Sequence, residues 1–133
     1  MAAADRFRAA LIGVPVALPE GLRVRHPELA EARYRRGGLP TRVGGWCLGT
    51  RSVAAITLWE TVFLAPDVPF SAELLLHELA HVRQFQASRA FPIQYILESA
   101  RVGYHRNRFE LAARRFAALR LRAAAFSPPS SGT

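Results

Sequence analysis

The chain has 133 residues and half of them are hydrophobic, so we expect one domain with a continuous core. Its 18 basic residues are all arginine and outnumber the 10 acidic residues, which gives a formal net charge of +8. The arginines are spread along the chain instead of forming one basic block, so we expect no nucleic-acid partner. No apolar run reaches the roughly 18 residues that predict a membrane span, so no span is expected.

Residues 1–20 are predicted to form a short helix followed by an extended stretch. Two arginines precede an apolar run there, as in signal peptides. Asp5, Pro15 and the lack of a small-residue cleavage site argue against a signal peptide. We therefore expect the chain to be cytoplasmic, or exported without a recognisable signal peptide. The single cysteine, Cys47, excludes an intramolecular disulfide and is compatible with a reducing compartment.

The following segments change from a helical to a strand-like pattern. Pro27 to Arg36 is predicted as a short helix, with proline at its first position and Gly37-Gly38 as its stop signal. Residues 42–65 are rich in glycine, β-branched and aromatic residues, and they predict two or three antiparallel strands with a tight turn at Trp59-Glu60. A small antiparallel sheet is therefore expected before the next helix.

A helix with a metal-binding pattern is predicted from Leu74 to Gln86, where the chain reads His77-Glu78-Leu79-Ala80-His81. Histidines four residues apart lie one turn apart on the same helix face, so both imidazoles can reach one metal ion. Glu78 lies beside that face, where its carboxylate can act as a base toward a water on the metal without being a ligand. The alternative is a pair of core histidines on a largely buried helix.

Two further helices are predicted after the metal helix. Phe91-Pro92 breaks the chain, and Ile93 to Val102 resumes a helical spacing of apolar residues. A last helix is predicted from about Asn107 to Ala125. Residues 127–133 are predicted to be a flexible tail, so residues 1–126 form the single predicted domain. The predicted fold class is α+β, with a small antiparallel sheet preceding the metal helix and two further helices.

A catalytic zinc ion needs three protein ligands and an open position, so the histidine pair requires a third donor. The candidate donors in the rest of the sequence are His26, Cys47, Glu98, His105 and Glu110. Glu110 is the first choice because it begins a helix rich in small residues, where a carboxylate can approach another helix closely. Its alternative role is to cap its own helix, since Asn107 and Glu110 have capping-box spacing. Glu98 is the second choice, because a carboxylate on a helix predicted to be buried needs a partner.

Two other residues have alternative roles near such a site. Cys47 is predicted to be a small buried apolar residue, and the alternative is a thiolate that occupies the open position of the metal. Asp67, close to two prolines, is predicted to be a turn residue. Its alternative role is to orient a metal-binding imidazole, and the sequence does not decide between the two.

Three segments together resemble a known family. They are Ile56–Leu64, Leu75–Gln84 and Asn107–Ala113, in the order strand, HELxHVxQ helix and NxxExxA helix. This order is similar to that of the small gluzincin-type (HExxH) zinc metallopeptidase-like domain associated with bacterial extracellular contractile injection systems. The resemblance covers roughly residues 40–116. The chain departs from the family at Arg83-Gln84-Phe85, where the family has a longer glutamine run.

The resemblance implies roles for the residues that match the family motifs. In gluzincins the two motif histidines and the downstream glutamate bind zinc, which implies His77, His81 and Glu110 as ligands. The motif glutamate of that family is the base, which implies Glu78.

The same resemblance implies a residue that stabilises the oxyanion. Gluzincins commonly use a histidine or a tyrosine for this purpose, and Tyr104 and His105 lie just before Glu110 in the sequence. Either of them could serve. The alternative for both is surface or core packing at the bend that Gly103 introduces.

The leading functional hypothesis is a zinc-dependent metallopeptidase of gluzincin type, which acts on a peptide or protein substrate with a glutamate base. An extended substrate could add as a strand to the edge of the predicted sheet, and the positive net charge would favour acidic substrates or partners. The alternative is a catalytically inactive zinc-binding scaffold or interaction module, tied to a secretion or injection apparatus. The reason for this alternative is the short length of the chain, which leaves little surface for a substrate cleft once the core is covered.

Overall fold

The computed structural model of the chain describes residues 2–47 and 53–126. The elements in chain order are α1 (Ala2–Ile12), β1 (Val14–Pro15), α2 (Glu20–Arg25), a 3₁₀ helix (Pro27–Glu31), β2 (Arg33–Arg36), α3 (Leu39–Cys47), β3 (Ala55–Leu58), β4 (Thr61–Leu64), α4 (Ala72–Ala87), α5 (Phe91–Val102) and α6 (Arg108–Phe126). The predicted α+β class is confirmed, whereas the predicted flexible tail, residues 127–133, lies outside the described residues. Among the described helices, none combines the length and apolar character that crossing a membrane requires.

The described strands form one sheet in the order β1-β2-β4-β3. β3 and β4 form an antiparallel hairpin whose turn is Trp59-Glu60, as predicted, and Trp59 has a positive φ of 54° in that turn. β1 is antiparallel to β2, but β2 runs parallel to β4. The sheet is therefore mixed, and the expectation of a purely antiparallel sheet is wrong. The chain between β2 and β4 includes α3 and β3, which is long enough for the crossover that a parallel pair needs.

The segment from Pro27 to Arg36 is only partly helical. Pro27–Glu31 forms a short 3₁₀ helix, and Arg33–Arg36 is strand β2 instead of a second helical turn. Backbone pairing with β1 and β4 stabilises the extended form there and overrides the local helical pattern. The prediction of one continuous helix is therefore wrong.

Helix α3 covers the beginning of the segment, residues 42–65, that is predicted to contain two or three strands. Gly44, a predicted bend, lies inside this helix and allows close packing. A Cβ atom added to Gly44 would lie 3.2 Å from Val53 and 3.3 Å from Ile56. Gly44 therefore lets α3 approach β3 closely. Of the two or three strands predicted for residues 42–65, the described part of that segment contains two, β3 and β4.

Helix α4 lies at the centre of the fold and carries the histidine pair. It packs against α6 and against the hairpin of β3 and β4. The hydrophobic core contains four of its fully buried side chains, Leu75, Leu76, Leu79 and Val82. Ser71 caps its N-terminus, because its Oγ accepts a hydrogen bond from the backbone N–H of Leu74 at 3.1 Å. The helix predicted from Leu74 to Gln86 is confirmed, and its apolar residues fix it in the core.

Helix α5 turns its apolar stripe toward solvent. The predicted helix is confirmed, but Ile93, Ile96 and Leu97 are each 65% exposed. Its inward face carries Phe91 and Tyr95 instead, and Phe91 packs edge-on against the ring of Phe109. A periodic pattern identifies an apolar face of a helix, but it does not show which face packs against the rest of the protein. The expectation that this helix buries its apolar stripe is therefore wrong.

Candidate metal centre

Two histidines of α4 and one glutamate of α6 meet where these helices pack together. The Nε2 atom of His77 is 2.9 Å from Oε2 of Glu110, and the Nε2 atom of His81 is 3.1 Å from Oε1 of the same carboxylate. One ligand atom from each residue lies within 4.8 Å of the other two, so the group could hold a metal ion. The structure thus brings together the three residues that the sequence analysis predicts as ligands.

Gln84 determines which nitrogen of His81 is free to bind a metal. The backbone carbonyl of Phe109 only accepts hydrogen bonds, so the side-chain Nε2 of Gln84, 3.0 Å away, donates to it. The side-chain oxygen of Gln84 therefore faces Nδ1 of His81, at 2.8 Å, and accepts its hydrogen. In a neutral imidazole with its proton on Nδ1, the lone pair lies on Nε2. His81 thus presents Nε2 as a ligand on the side of Glu110.

The contact of Glu110 with His81 favours a positive charge between the two side chains. A lone pair on Nε2 of His81 faces a carboxylate oxygen at 3.1 Å, which is unfavourable unless a proton or a metal ion lies between them. In the metal-free protein, burial lowers the pKa of His81, but the hydrogen bond with Glu110 and the charges of Glu78 and Glu110 oppose burial, and the net effect is a raised pKa. Burial also opposes ionisation of Glu110, yet hydrogen bonds from His77 and His81 hold its pKa well below the usual range. The arrangement therefore favours a cation between two imidazoles and a carboxylate.

Glu110 is held in place by Tyr95 and does not cap its own helix. The Tyr95 hydroxyl donates to Oε1 of Glu110 at 2.6 Å. Asn107 caps α6 by accepting a hydrogen bond from the backbone N–H of Phe109 at 2.8 Å. The backbone N–H of Asn107, which a capping box would assign to Glu110, donates instead to the carbonyl of Tyr104 at 3.2 Å. The capping role considered for Glu110 is therefore wrong.

Glu78 is buried beside the His-His-Glu group with one of its oxygens fixed. The side chain is 6% exposed, and the hydroxyl of Thr57 on β3 donates to its Oε2 at 2.7 Å. Its Oε1 has no hydrogen-bond partner among the described residues. Burial raises the pKa of Glu78, although His81, Thr57 and His77 oppose the rise. A raised pKa suits a carboxylate that accepts a proton near neutral pH.

A cleft of about 820 Å³ opens beside His77 and Glu78. Tyr104 and His105, from the turn between α5 and α6, both line it. Burial raises the pKa of Tyr104 to about 12, and the charges of Glu110 and Glu78 add to the rise, so its hydroxyl keeps its proton and can donate a hydrogen bond. Tyr104 is half-buried in this cleft, whereas His105 is exposed.

The other carboxylate and the two other imidazoles considered as third ligand, those of Glu98, His26 and His105, lie outside the His-His-Glu group. Glu98 on α5 accepts a hydrogen bond from Arg101 at 3.1 Å, which lowers its pKa. His26 is buried and lies 3.9 Å from a carboxylate oxygen of Glu28. The side chains of Glu98 and His26 therefore have partners of their own in the described part of the chain.

The alternative roles of Asp67 and Cys47 have different outcomes. Asp67 is exposed in a turn, as predicted, and Gln84 orients the imidazole of His81 in its place. The side chain of Cys47 lies outside the described part of the structure, so both of its roles stay predictions.

Sequence reasoning assigned no role to Gln84, Tyr95 or Thr57. Gln84 follows His81 by three residues on the same helix, so the spacing of α4 alone could have placed it near that imidazole. Tyr95 and Thr57 belong to α5 and β3, and no local pattern links them to the histidine pair. Their contacts arise from tertiary packing against α4 and α6.

The fold and the site define an α+β domain with a His-His-Glu group that could hold a metal ion. No protein-family model, curated protein or solved structure matches the chain. The gluzincin resemblance rests on the three sequence segments alone, and it stays a prediction.

Replacing Gln84 with leucine is expected to weaken zinc binding by about 10- to 100-fold, the range typical of losing the partner of a metal-binding histidine. The change removes the acceptor at Nδ1 of His81 and the hydrogen bond to Phe109. A zinc titration in competition with a chromogenic chelator measures the effect. Gln86→Leu, an exposed glutamine on the same helix, is the matched control, and an equal loss in both variants would contradict the role of Gln84.

Proposed function

We propose that the protein is a zinc-dependent metallopeptidase that hydrolyses peptide bonds with Glu78 as its base. The observation that carries the proposal is the position of Glu78, which is buried in the wall of the cleft and keeps one carboxylate oxygen without a hydrogen-bond partner among the described residues. A structural zinc site closes all four positions of the metal and does not need a base beside it. Three donors next to an open cleft leave a position for substrate.

The donor set supports zinc as the metal. Two imidazole nitrogens and one carboxylate oxygen form the His₂Glu class of catalytic zinc sites. Calcium and magnesium prefer oxygen ligands, and iron(II) uses the same three donors. The adjacent base favours zinc over iron, because hydrolysis needs a proton acceptor. Bound by His77, His81 and Glu110, zinc supplies Lewis-acid chemistry, lowering the pKa of a coordinated water to about 7 and polarising a carbonyl.

The residues of the cleft provide the proton transfers. Glu78 takes the proton of the attacking water through its free oxygen and passes it to the leaving amine. Thr57 holds the other oxygen of Glu78 and so fixes the orientation of the carboxylate. Tyr104 donates a hydrogen bond to the carbonyl oxygen on which negative charge develops, and His105 is the alternative donor.

Strand β3 offers an edge on which an extended substrate can lie. It is the last strand in the sheet order, so its outer side has no strand partner among the described residues. Ala55, its first residue, and Ala54 just before it line the same cleft as His77. A peptide that adds to this edge makes main-chain hydrogen bonds, which fix its register relative to Glu78.

Hydrolysis of casein tests the proposal. We expect the zinc-loaded chain to cleave casein, a chelator to stop cleavage, and added zinc to restore it where magnesium does not. Cleavage that continues after complete removal of zinc would contradict the proposal.

The exposed stripe of α5 favours a second candidate function. Ile93, Ile96 and Leu97 form one apolar face on the helix, and contiguous exposed apolar surface is typical of interaction sites. The chain would then be a zinc-binding interaction module without turnover. Zinc binding without cleavage of casein or of a peptide library would support this candidate over the peptidase.

Replacing Thr57 with valine is expected to shift the acid limb of the kcat/KM profile to higher pH. The Thr57 hydroxyl stabilises the ionised form of Glu78 and so lowers its pKa, against the larger effect of burial. Without that hydrogen bond the pKa rises, so more Glu78 is protonated at low pH and cannot act as a base. Initial rates across the acid range measure the shift, with Thr61→Val on β4 as the matched control. An acid limb that does not move in Thr57→Val would contradict the role of the Thr57 hydroxyl in lowering the pKa of Glu78.

A further inference from the structure

One charged side chain lies on the cleft close to the proposed oxyanion donors. Arg114 is one helical turn after Glu110 on α6, so both project from the same face of that helix. It lines the cleft beside Glu78 together with Tyr104 and His105. Among the described residues it is the one arginine in this lining.

The guanidinium of Arg114 keeps most of its hydrogen-bonding capacity. Its Nη1 donates to the backbone carbonyl of His105 at 3.2 Å, and it forms no ion pair with a carboxylate of the described residues. Glu73, an exposed carboxylate that lines the same cleft, forms no ion pair with Arg114 either. The charge of Arg114 also acts on Tyr104, where it opposes the rise in pKa that burial causes. An arginine has five N–H donors, so the contact with His105 fixes the group and leaves a fork of donors for a ligand.

We propose that Arg114 selects substrates with a carboxylate near the scissile bond, which it binds in its guanidinium fork. This inference rests on the proposed peptidase function, because it concerns the same cleft. The planar guanidinium matches a carboxylate with two parallel hydrogen bonds, which gives geometric selectivity as well as attraction. The net charge of +8 attracts acidic chains at long range but does not select a position along a peptide. The carboxylate is an aspartate or glutamate side chain or the C-terminus of the substrate.

Two sets of peptides that differ at a single position test the inference. In the first set, one position beside the scissile bond is glutamate, glutamine or lysine, and the C-terminus is amidated. In the second set the side chains are neutral, and the C-terminus is either free or amidated. We expect kcat/KM to be about tenfold higher for a peptide that offers the carboxylate, the effect of one hydrogen-bonded charge pair. The set that shows the preference identifies the source of the carboxylate, and equal rates in both sets would overturn the inference.

Variants of two neighbouring arginines separate local binding from the overall charge. Arg114→Glu is expected to abolish the preference for the carboxylate and to favour the lysine peptide, whereas Arg114→Lys keeps part of the preference. Arg115→Glu makes the same change of charge on the next residue of α6, which does not line the cleft, and should behave as the wild type. An unchanged preference in Arg114→Glu, or an equal loss in both glutamate variants, would overturn the inference. Circular dichroism and zinc content establish that each variant is folded.

A binding measurement keeps the inference separate from the peptidase proposal. Fluorescence anisotropy measures the affinity of the zinc-loaded Glu78→Gln chain for labelled glutamate and glutamine peptides. This measurement does not depend on turnover. We expect this chain to bind the glutamate peptide about tenfold more tightly than the glutamine peptide, and we expect the double variant Glu78→Gln/Arg114→Glu to bind both equally. That result would support the carboxylate site even if no cleavage is found. Equal binding of the two peptides would overturn the carboxylate site even if casein is cleaved.

Discussion

The Glu78→Gln variant is expected to bind zinc as tightly as the wild-type chain and to lose about 10²- to 10⁴-fold in kcat for peptide cleavage. Glutamine keeps the size of the side chain, and its amide oxygen can still accept the hydrogen bond from Thr57. It cannot take a proton from water at neutral pH, so the contribution of the base is lost. Zinc binding should persist, because Glu78 is not one of the three closely spaced donors. Cleavage rate and zinc content are measured on the same preparation.

Glu60→Gln is the matched control for this experiment. Glu60 is exposed in the turn between β3 and β4, and the same substitution there should leave kcat unchanged. Full kcat in Glu78→Gln would show that another group is the base, or that the cleavage comes from a contaminating protease. Loss of zinc from Glu78→Gln would show that this carboxylate belongs to the metal centre itself.

The Glu110→Ala variant is expected to bind zinc at least about 100-fold more weakly than the wild type, since losing a ligand should exceed the effect of losing a ligand's partner. Only two donors remain after this change, and both histidines lose the carboxylate that faces them. Competition with a chromogenic chelator measures the affinity. Thermal unfolding gives a second readout, because free zinc at 100 times the wild-type Kd stabilises the wild type by about 2.7 kcal/mol and should stabilise the variant by no more than about 0.4 kcal/mol.

Glu98→Ala is the matched control for the third ligand. Glu98 lies on α5, was the second choice from the sequence, and is bonded to Arg101. The variant should keep the zinc affinity of the wild type. Full affinity in Glu110→Ala, or loss of affinity in Glu98→Ala, would contradict the assignment of the carboxylate ligand.

The sequence predicted the parts of the site that depend on local spacing. His77 and His81 are placed by the pitch of one helix, and the buried leucines of α4 show which face that helix turns to the core. Glu110 was one of several candidates, because no local pattern shows that α6 packs its start against the histidine pair. The hydroxyls of Tyr95 and Thr57 were missed for the same reason, since each reaches its carboxylate from a different element.

The errors in the fold also arise from tertiary packing. The sequence pattern predicts a bend at Gly44, whereas this glycine lies within α3 and allows the helix to approach β3. The parallel pairing of β2 with β4 joins segments that are distant in sequence, so neither strand alone predicts it. On α5 the pattern correctly predicts an amphipathic helix. The face of α5 that packs against the rest of the protein carries Phe91 and Tyr95, whereas the aliphatic stripe is exposed to solvent.

Elemental analysis of the purified wild-type chain, after dialysis against excess zinc and then against metal-free buffer, tests the metal centre most directly. The proximity of His77, His81 and Glu110 predicts one zinc ion per chain, and none in a chain with both histidines changed to alanine. A wild-type chain that retains no zinc, or a double variant that retains as much as the wild type, would contradict the metal centre and the function proposed for it.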